Sequence, residues 1–288
     1  MSAAVGKSDD TNTMGDEILF QQPESSHLGD CPICCLPLPL DLHKFRMMSC
    51  CSKRICIGCS VANQKREINA GLELGKCLFC RKAAHKTEEE INERVKKRIE
   101  ANDPAAISQM GTKCYAAGNY KKAFKYFTRA ADLGDAIAHH HLSNLYRKGE
   151  GVKKDEKKSL HHAEQASIGG HPDARHNLGI IEYNEHGRVD RAVKHWVIAS
   201  KLGVDMSLNY IKRLHKSGVV SKEDLAAALR GHYAAINATK SAQREEAVEY
   251  YRMMSMGRIP LMHGQGGRNK QSKQSGPSKP SKHSPGKL

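Results

Sequence analysis

The run CPICCLPLPLDLHKFRMMSCCSKRICIGC, Cys31 to Cys59, holds seven of the chain's ten cysteines within 29 residues. Cys77 and Cys80 follow shortly after, so nine cysteines fall between residues 31 and 80. Three CxxC units stand out: Cys31/Cys34, Cys56/Cys59 and Cys77/Cys80. A CxxC turn aims two thiolates at one point, and two such turns complete a tetrahedral sulfur site. Cys50 and Cys51 supply a fourth pair, which makes eight ligands for two metal ions. Buried free cysteines have no reason to fall at this spacing.

The rest of the chain sets the context. Of 288 residues, 39% are hydrophobic and only 5% aromatic, which favours small modules with polar flanks over one large core. No apolar run of about 18 residues predicts a membrane span. The first twenty residues, MSAAVGKSDDTNTMGDEILF, lack the charged-then-apolar layout of an export signal. The expectation is a cytoplasmic or nuclear protein. Thiols stay reduced there, and clustered cysteines bind metal rather than pair.

In chain order the pairs read CxxC, CC, CxxC, CxxC. The first and third pairs, Cys31, Cys34, Cys56 and Cys59, can form one site. The second and fourth, Cys50, Cys51, Cys77 and Cys80, can form the other. This interleaving resembles the cross-brace of the RING finger in its all-cysteine variant, with four residues between Cys51 and Cys56. Two stacked zinc ribbons are the competing two-metal fold. Cys35 is a ninth thiol without a required role, and His43 is an alternative ligand to Cys50 or Cys51. A module of roughly 55 residues buries too little apolar surface to fold alone. Two Zn2+ ions would supply folding free energy of order 10–16 kcal/mol each. Ile33, Leu36, Leu38, Leu40, Phe45, Ile55, Ile57, Val61 and Ile68 would form its small core and apolar rim, and SVANQKREINAG its helix, ended by Gly71.

The RING resemblance implies a ubiquitin ligase without a nucleophile of its own. Such a module binds a ubiquitin-conjugating enzyme and orients the thioester that the enzyme carries. By motif position, Ile33 would be an apolar contact to the conjugating enzyme. Leu78 stands where many members have proline. Arg81, directly after the last ligand, takes the place of the cationic linchpin. The plain alternatives are a packing residue at Ile33 and a solvated charge at Arg81. No tryptophan lies between Cys59 and Cys77, a departure that weakens enzyme binding.

Beyond residue 86 the pattern turns helical. TEEEINERVKKRIEANDPAA mixes charges at i,i+4, as an exposed connecting helix does. Gly134, Gly170 and Gly203 then recur after 36 and 33 residues, the period of helix-pair solenoids. The segment HHHLSNLYRKGEGVKKDEKKSLHHAEQASIGG resembles a Sel1-like repeat through Leu142, Tyr146, Gly149, Gly151, Val152, Asp155, Lys157, Ala163 and Ala166. Degenerate units flank it, and Tyr115 and Tyr183 fall one place later than the pattern. SLNYIKRLHKSG is a fourth, partial unit. Ser221 and Asp224, at capping-box spacing, open a capping helix. Cys114 reads as a core thiol and Trp196 as interface packing. His139, His140 and His141 point around a helix in different directions and do not converge on one metal. His161 and His162 read the same way.

The expected organisation is a flexible segment over 1–28, the zinc module over 29–85, a connecting helix over 86–102, repeats over 103–220, a capping helix over 221–254 and a disordered basic tail over 255–288. The fold class is a small α+β two-zinc module joined to an all-α solenoid. The formal charge of +15 is partly the tail, which carries seven Lys or Arg and no carboxylate. Nucleic acid is disfavoured as a partner, because interleaved aromatics and a recognition helix are missing. The two functional readings are a ligase whose solenoid holds a substrate and a non-enzymatic protein-interaction scaffold.

Overall fold

The computed structural model describes residues 15–258 apart from 73, 74, 84 and 86. Residues 1–14 and the tail beyond 258 lie outside them. The first cysteine segment leads through a single 3-10 turn, Leu42–Lys44, into a short antiparallel hairpin. Its strands are β1 (Phe45–Met47) and β2 (Arg54–Cys56), with Phe45 opposite Cys56 and Met47 opposite Arg54. Helix α2 (Ile57–Asn69) starts directly from β2 because the Cys56 sulfur accepts from the Cys59 amide and caps it. Leu28, Leu38 and Ile55 pack with Cys31, Cys56 and Cys59 in a core too small to stand without further ties.

Helix α3 (Glu88–Glu100) is capped by Thr87, carries three glutamates in its first turn and packs against the next helix. The solenoid then runs in antiparallel pairs. These are α4 (Pro104–Ala116) with α5 (Tyr120–Ala131), α6 (Ala136–Lys148) with α7 (Glu156–Ile168), and α8 (Pro172–Asn184) with α9 (Val189–Lys201). The recurrent punctuation has one mechanism. Gly134 and Gly170 turn the chain through a left-handed residue, and Asp135 or His171 then accepts an amide of the following helix. Each pair covers its neighbour's apolar face, so the core runs as successive clusters, one holding Phe127 and Leu142 and the next Trp196. Gly111 and Gly179 let the paired helices close on Phe127 and Trp196, whose rings would meet any Cβ at 2.6 and 2.5 Å.

The structure departs from the sequence reading in two places. The segment expected to be flexible through residue 28 is laid along the solenoid from residue 15. It contains α1 (Asp16–Leu19), with Leu19 buried against Ala163 and Leu178. Arg175 donates to the Leu19 carbonyl, Phe20 packs on His195, and the His27 amide donates to Gly170 at 3.0 Å. The single capping helix expected over 221–254 is two helices. The first, α11 (Lys222–Ala238), pairs with α10 (Asp205–Lys216) and α9, so the partial fourth unit is completed. Its Ser221 cap accepts from the Asp224 amide at 3.0 Å. The chain then breaks, because Ser241 caps a new helix, α12 (Ala242–Ser255). That helix leaves the solenoid and packs across α2 of the cysteine module.

Candidate metal centres

Two loops of the same construction present the thiols. In the first, the Cys35 amide donates to Cys31 O at 2.8 Å and the Cys31 amide to Leu36 O at 3.0 Å. In the second, the Arg81 amide donates to Cys77 O at 2.9 Å and the Cys77 amide to Lys82 O at 2.8 Å. Cys35 and Arg81 are equivalent turn residues, both left-handed at φ 55° and 61°. The chain reverses there, so each CxxC pair converges while the residue after it points away. That accounts for Cys35, whose thiol is exposed and outside both clusters. The hairpin turn between β1 and β2 supplies Cys50 and Cys51, and Met48 O closes it by accepting from the Ser52 amide at 2.8 Å.

The sulfurs of Cys31, Cys34, Cys56 and Cys59 lie within 4.8 Å of one another, and so do those of Cys50, Cys51, Cys77 and Cys80. Adjacent Cys50 and Cys51 both reach the second cluster. His43 does not; it is exposed on the 3-10 turn, where its amide donates to Asp41. Two thiolates on one tetrahedral zinc, with Zn–S of ~2.3 Å, sit ~3.8 Å apart. Cys34 and Cys56 are 3.8 Å apart, Cys51 and Cys77 3.8 Å, and Cys50 and Cys80 3.3 Å. These spacings fit four ligands around one ion and are far from a covalent S–S bond of ~2.05 Å. Two groups of four cysteines can therefore hold metal ions.

The thiols differ in how readily they ionise. Burial, with neighbouring sulfurs, pushes the Cys50 and Cys59 thiols well above their ordinary range and raises Cys51 and Cys56. Burial also opposes ionisation of Cys34 and Cys80, yet both are pulled down to about 7. The Leu36 amide and the Arg244 guanidinium do this at Cys34, and the Lys82 amide with the Cys50 thiol does it at Cys80. Several thiolates in one small volume repel each other unless a metal ion sits among them.

Of the three residues expected to contact a conjugating enzyme, Ile33 is 44% exposed at its loop tip and Arg81 is exposed. Leu78 is different: it is half-buried and packs on the module's own core. The residue equivalent to Ile33 in the second loop is Phe79, 47% exposed beneath the Lys53 ammonium. The sequence reading passed over Phe79, although its place matches that of Ile33 within its CxxC unit. It also passed over Arg244, which reaches the Cys34 sulfur from 210 residues away and has no local signal.

The histidines of the repeats scatter. His139 shares an Nδ1–Nδ1 hydrogen bond of 3.0 Å with His162, His140 stacks on His171, and His141 stacks on Phe127. Among the described residues they form no cluster of three ligands. Cys114 is buried in the first helical core, and Trp196 is fully buried with its indole N–H donating to His176 O. No helix among the described residues is long and apolar enough to cross a membrane.

The fold and its punctuation define a helix-pair repeat protein with an appended cysteine module. Residues 104–135 and 136–171 match the family model described as the Sel1 repeat. The solenoid thus contains two Sel1 repeats, the pairs α4/α5 and α6/α7. A Sel1 repeat protein from Oxalobacter formigenes is 23% identical over 63% of this chain and 80% of its own, with a TM-score of 0.46. A protective antigen present in uropathogenic Escherichia coli strains and displaying an SLR fold is 26% identical over 60% of this chain and 37% of its own, with a TM-score of 0.40. No curated protein matches.

Proposed function

We propose that the chain is a RING-type zinc protein of the cytoplasm or nucleus that acts as a ubiquitin ligase. Its cysteine module would recruit a ubiquitin-conjugating enzyme, and its Sel1 solenoid would hold a substrate or scaffold protein. Cys31, Cys34, Cys56 and Cys59 would bind one zinc, and Cys50, Cys51, Cys77 and Cys80 the other. A four-sulfur tetrahedral set suits zinc. With all four positions filled by protein, each ion would serve structure alone, with no site for a reacting water. The observation that carries the reading is the interleaved convergence of the eight sulfurs, with Ile33 and Arg81 left open to solvent beside them. The enzyme's own thioester would do the chemistry. This chain would contribute apolar contact at Ile33 and Leu78 and hydrogen-bond donors at Arg81.

A non-enzymatic scaffold is favoured by one observation: α12 of the same chain already covers one face of α2. Elemental analysis and ubiquitin-chain assembly with a panel of conjugating enzymes separate the two. The ligase reading expects two zinc ions per chain and activity lost in Cys56→Ser, Ile33→Ala and Arg81→Ala. Full activity in both surface variants would refute the proposed surface. Inactivity with every enzyme, with both zincs bound, would favour the scaffold.

A further inference from the structure

We propose that Arg244 on α12 is the outer-sphere partner of the first cysteine centre, so that metal binding there and docking of the C-terminal helix on α2 are one coupled equilibrium. The proposal rests on the zinc reading above.

Arg244 is 6% exposed. Its Nη1 donates to Pro37 O at 2.6 Å and Thr239 O at 2.8 Å, and its Nη2 to Leu36 O at 3.0 Å and Cys34 Sγ at 3.4 Å. Three of these acceptors are neutral carbonyls. Among the described residues Arg244 pairs with no carboxylate. A buried guanidinium without a counter-charge is strongly unfavourable. The one partner able to carry negative charge is the sulfur. Four thiolates on one divalent ion leave a net charge of −2, which this guanidinium faces. The two carbonyls it grips are those of the residues just after the first CxxC turn, so it also holds the exit of that loop.

The neighbouring sequence is built for the contact. A Cβ on Gly58 would meet Arg244 Cγ at 2.9 Å and Cα at 3.0 Å, so α2 has no side chain where α12 crosses it. Gln243 donates to Gly58 O at 3.3 Å, Arg46 donates to the Tyr251 hydroxyl at 2.7 Å, and Lys65 pairs with Glu246. Ile57 and Val61 bury against Ala247. At the second centre the sulfurs approach one another, Cys51 to Cys77 at 3.8 Å and Cys80 to Cys50 at 3.3 Å, and α12 supplies Arg244 to the first centre. Without metal nothing gathers the four sulfurs, so the Cys34 sulfur and the Leu36 and Pro37 carbonyls are no longer held in place for the guanidinium, and α12 keeps only its apolar seam and its outlying polar contacts. Reciprocity requires that losing the helix weakens the metal.

The test follows zinc release from the purified full-length protein to an excess of a chromogenic chelator. Wild type is expected to lose two zinc ions slowly. Arg244→Ala should release one of them on the order of 10–100-fold faster and leave the other unchanged, the usual scale for losing an outer-sphere partner. Arg244→Lys should fall between. Gly58→Ala, which keeps the arginine but sets a methyl against it and so pushes α12 off α2, should accelerate the same ion. Hydrogen exchange supplies the converse: stripping zinc from wild type should remove protection from residues 242–255. Wild-type release rates in both Arg244→Ala and Gly58→Ala, or full protection of α12 after zinc removal, would overturn the coupling and leave the zinc reading intact. Wild-type protein without zinc would overturn both.

Discussion

Replacing Gly151 by alanine tests how the repeats are joined. Gly151 lies in the loop between α6 and α7, at φ +71°, and touches the preceding repeat. A Cβ there would lie 2.5 Å from the Tyr120 carbonyl carbon and 2.7 Å from the Lys121 nitrogen, backbone atoms at the start of α5. Backbone cannot rotate aside, so either the loop or α5 must shift. Gly149, two residues earlier, is a control. Its φ is +74°, but its nearest neighbour is the Lys154 Cβ at 3.5 Å, an ordinary contact. Both substitutions incur about 1–2 kcal/mol of left-handed strain. Only Gly151→Ala adds overpacking, about 1–3 kcal/mol, for a sum of about 2–5 kcal/mol. A chain of this size loses about 2–4 °C of Tm per kcal/mol. Gly149→Ala should therefore melt about 2–8 °C lower and Gly151→Ala about 4–20 °C lower. Urea and thermal unfolding by far-UV circular dichroism, in one zinc-containing buffer, reads the difference. Equal destabilisation within about 0.5 kcal/mol would refute the claim that the loop abuts the neighbouring backbone.

Two further perturbations probe the interior. Gly179→Ala drives a methyl into the Trp196 indole and threatens its bond to His176 O, with an expected cost of about 1–3 kcal/mol. As Trp196 is the only tryptophan, its emission should change with stability, and an unaltered spectrum at wild-type stability would count against the packing. The stack of His27, His171 and His140 joins the N-terminal segment to the solenoid. Burial, with the Arg54 charge, lowers His27 to about 4, and burial lowers His140 to about 4; His171 moves the same way. The unfolded chain then binds more protons than the folded one between pH ~6.5 and the folded value. Stability should be complete above pH ~6.5 and fall as pH drops towards about 4, with a shallower fall in His27→Gln; an identical pH slope in that variant would exclude the stack as the cause.

What was legible in the sequence is what local chemistry encodes. Cysteine pairs at fixed spacing made the grouping of eight sulfurs readable, because few other uses of a thiol need that spacing. Gly134, Gly170 and Gly203 mark the repeat because only glycine takes the left-handed turn cheaply. The N-terminal docking was not legible. Leu19, Phe20 and Leu28 follow neither a helical nor a strand period, and the pockets of Leu19 and Phe20 are made by distant helices, α7, α8 and α9, while Leu28 enters the cysteine core. The break at residues 239–241 did have a signal, since Ser241 is a good N-cap, but a continuous helical pattern on both sides outweighed it. The half-burial of Leu78 was not legible either, because its place in the motif carries no signal of which way the side chain turns.

These non-local ties change what the modules are. The hydrophobic seam of Ile57 and Val61 on α2 is covered by α12, which lies after the whole solenoid in sequence. Residues 15–28 run the other way, from the solenoid groove at Leu19 to the cysteine core at Leu28. The two ends of the chain thus each cross between the modules, and the cysteine module takes part of its fold from segments that a cut at residue 29 or 85 would remove. An isolated fragment of residues 29–85 would expose that seam and lose Arg244 and Leu28 together. Inactivity of such a fragment would say nothing about the full chain, whereas two metal ions retained by the full chain and only one by the fragment would follow directly from this architecture.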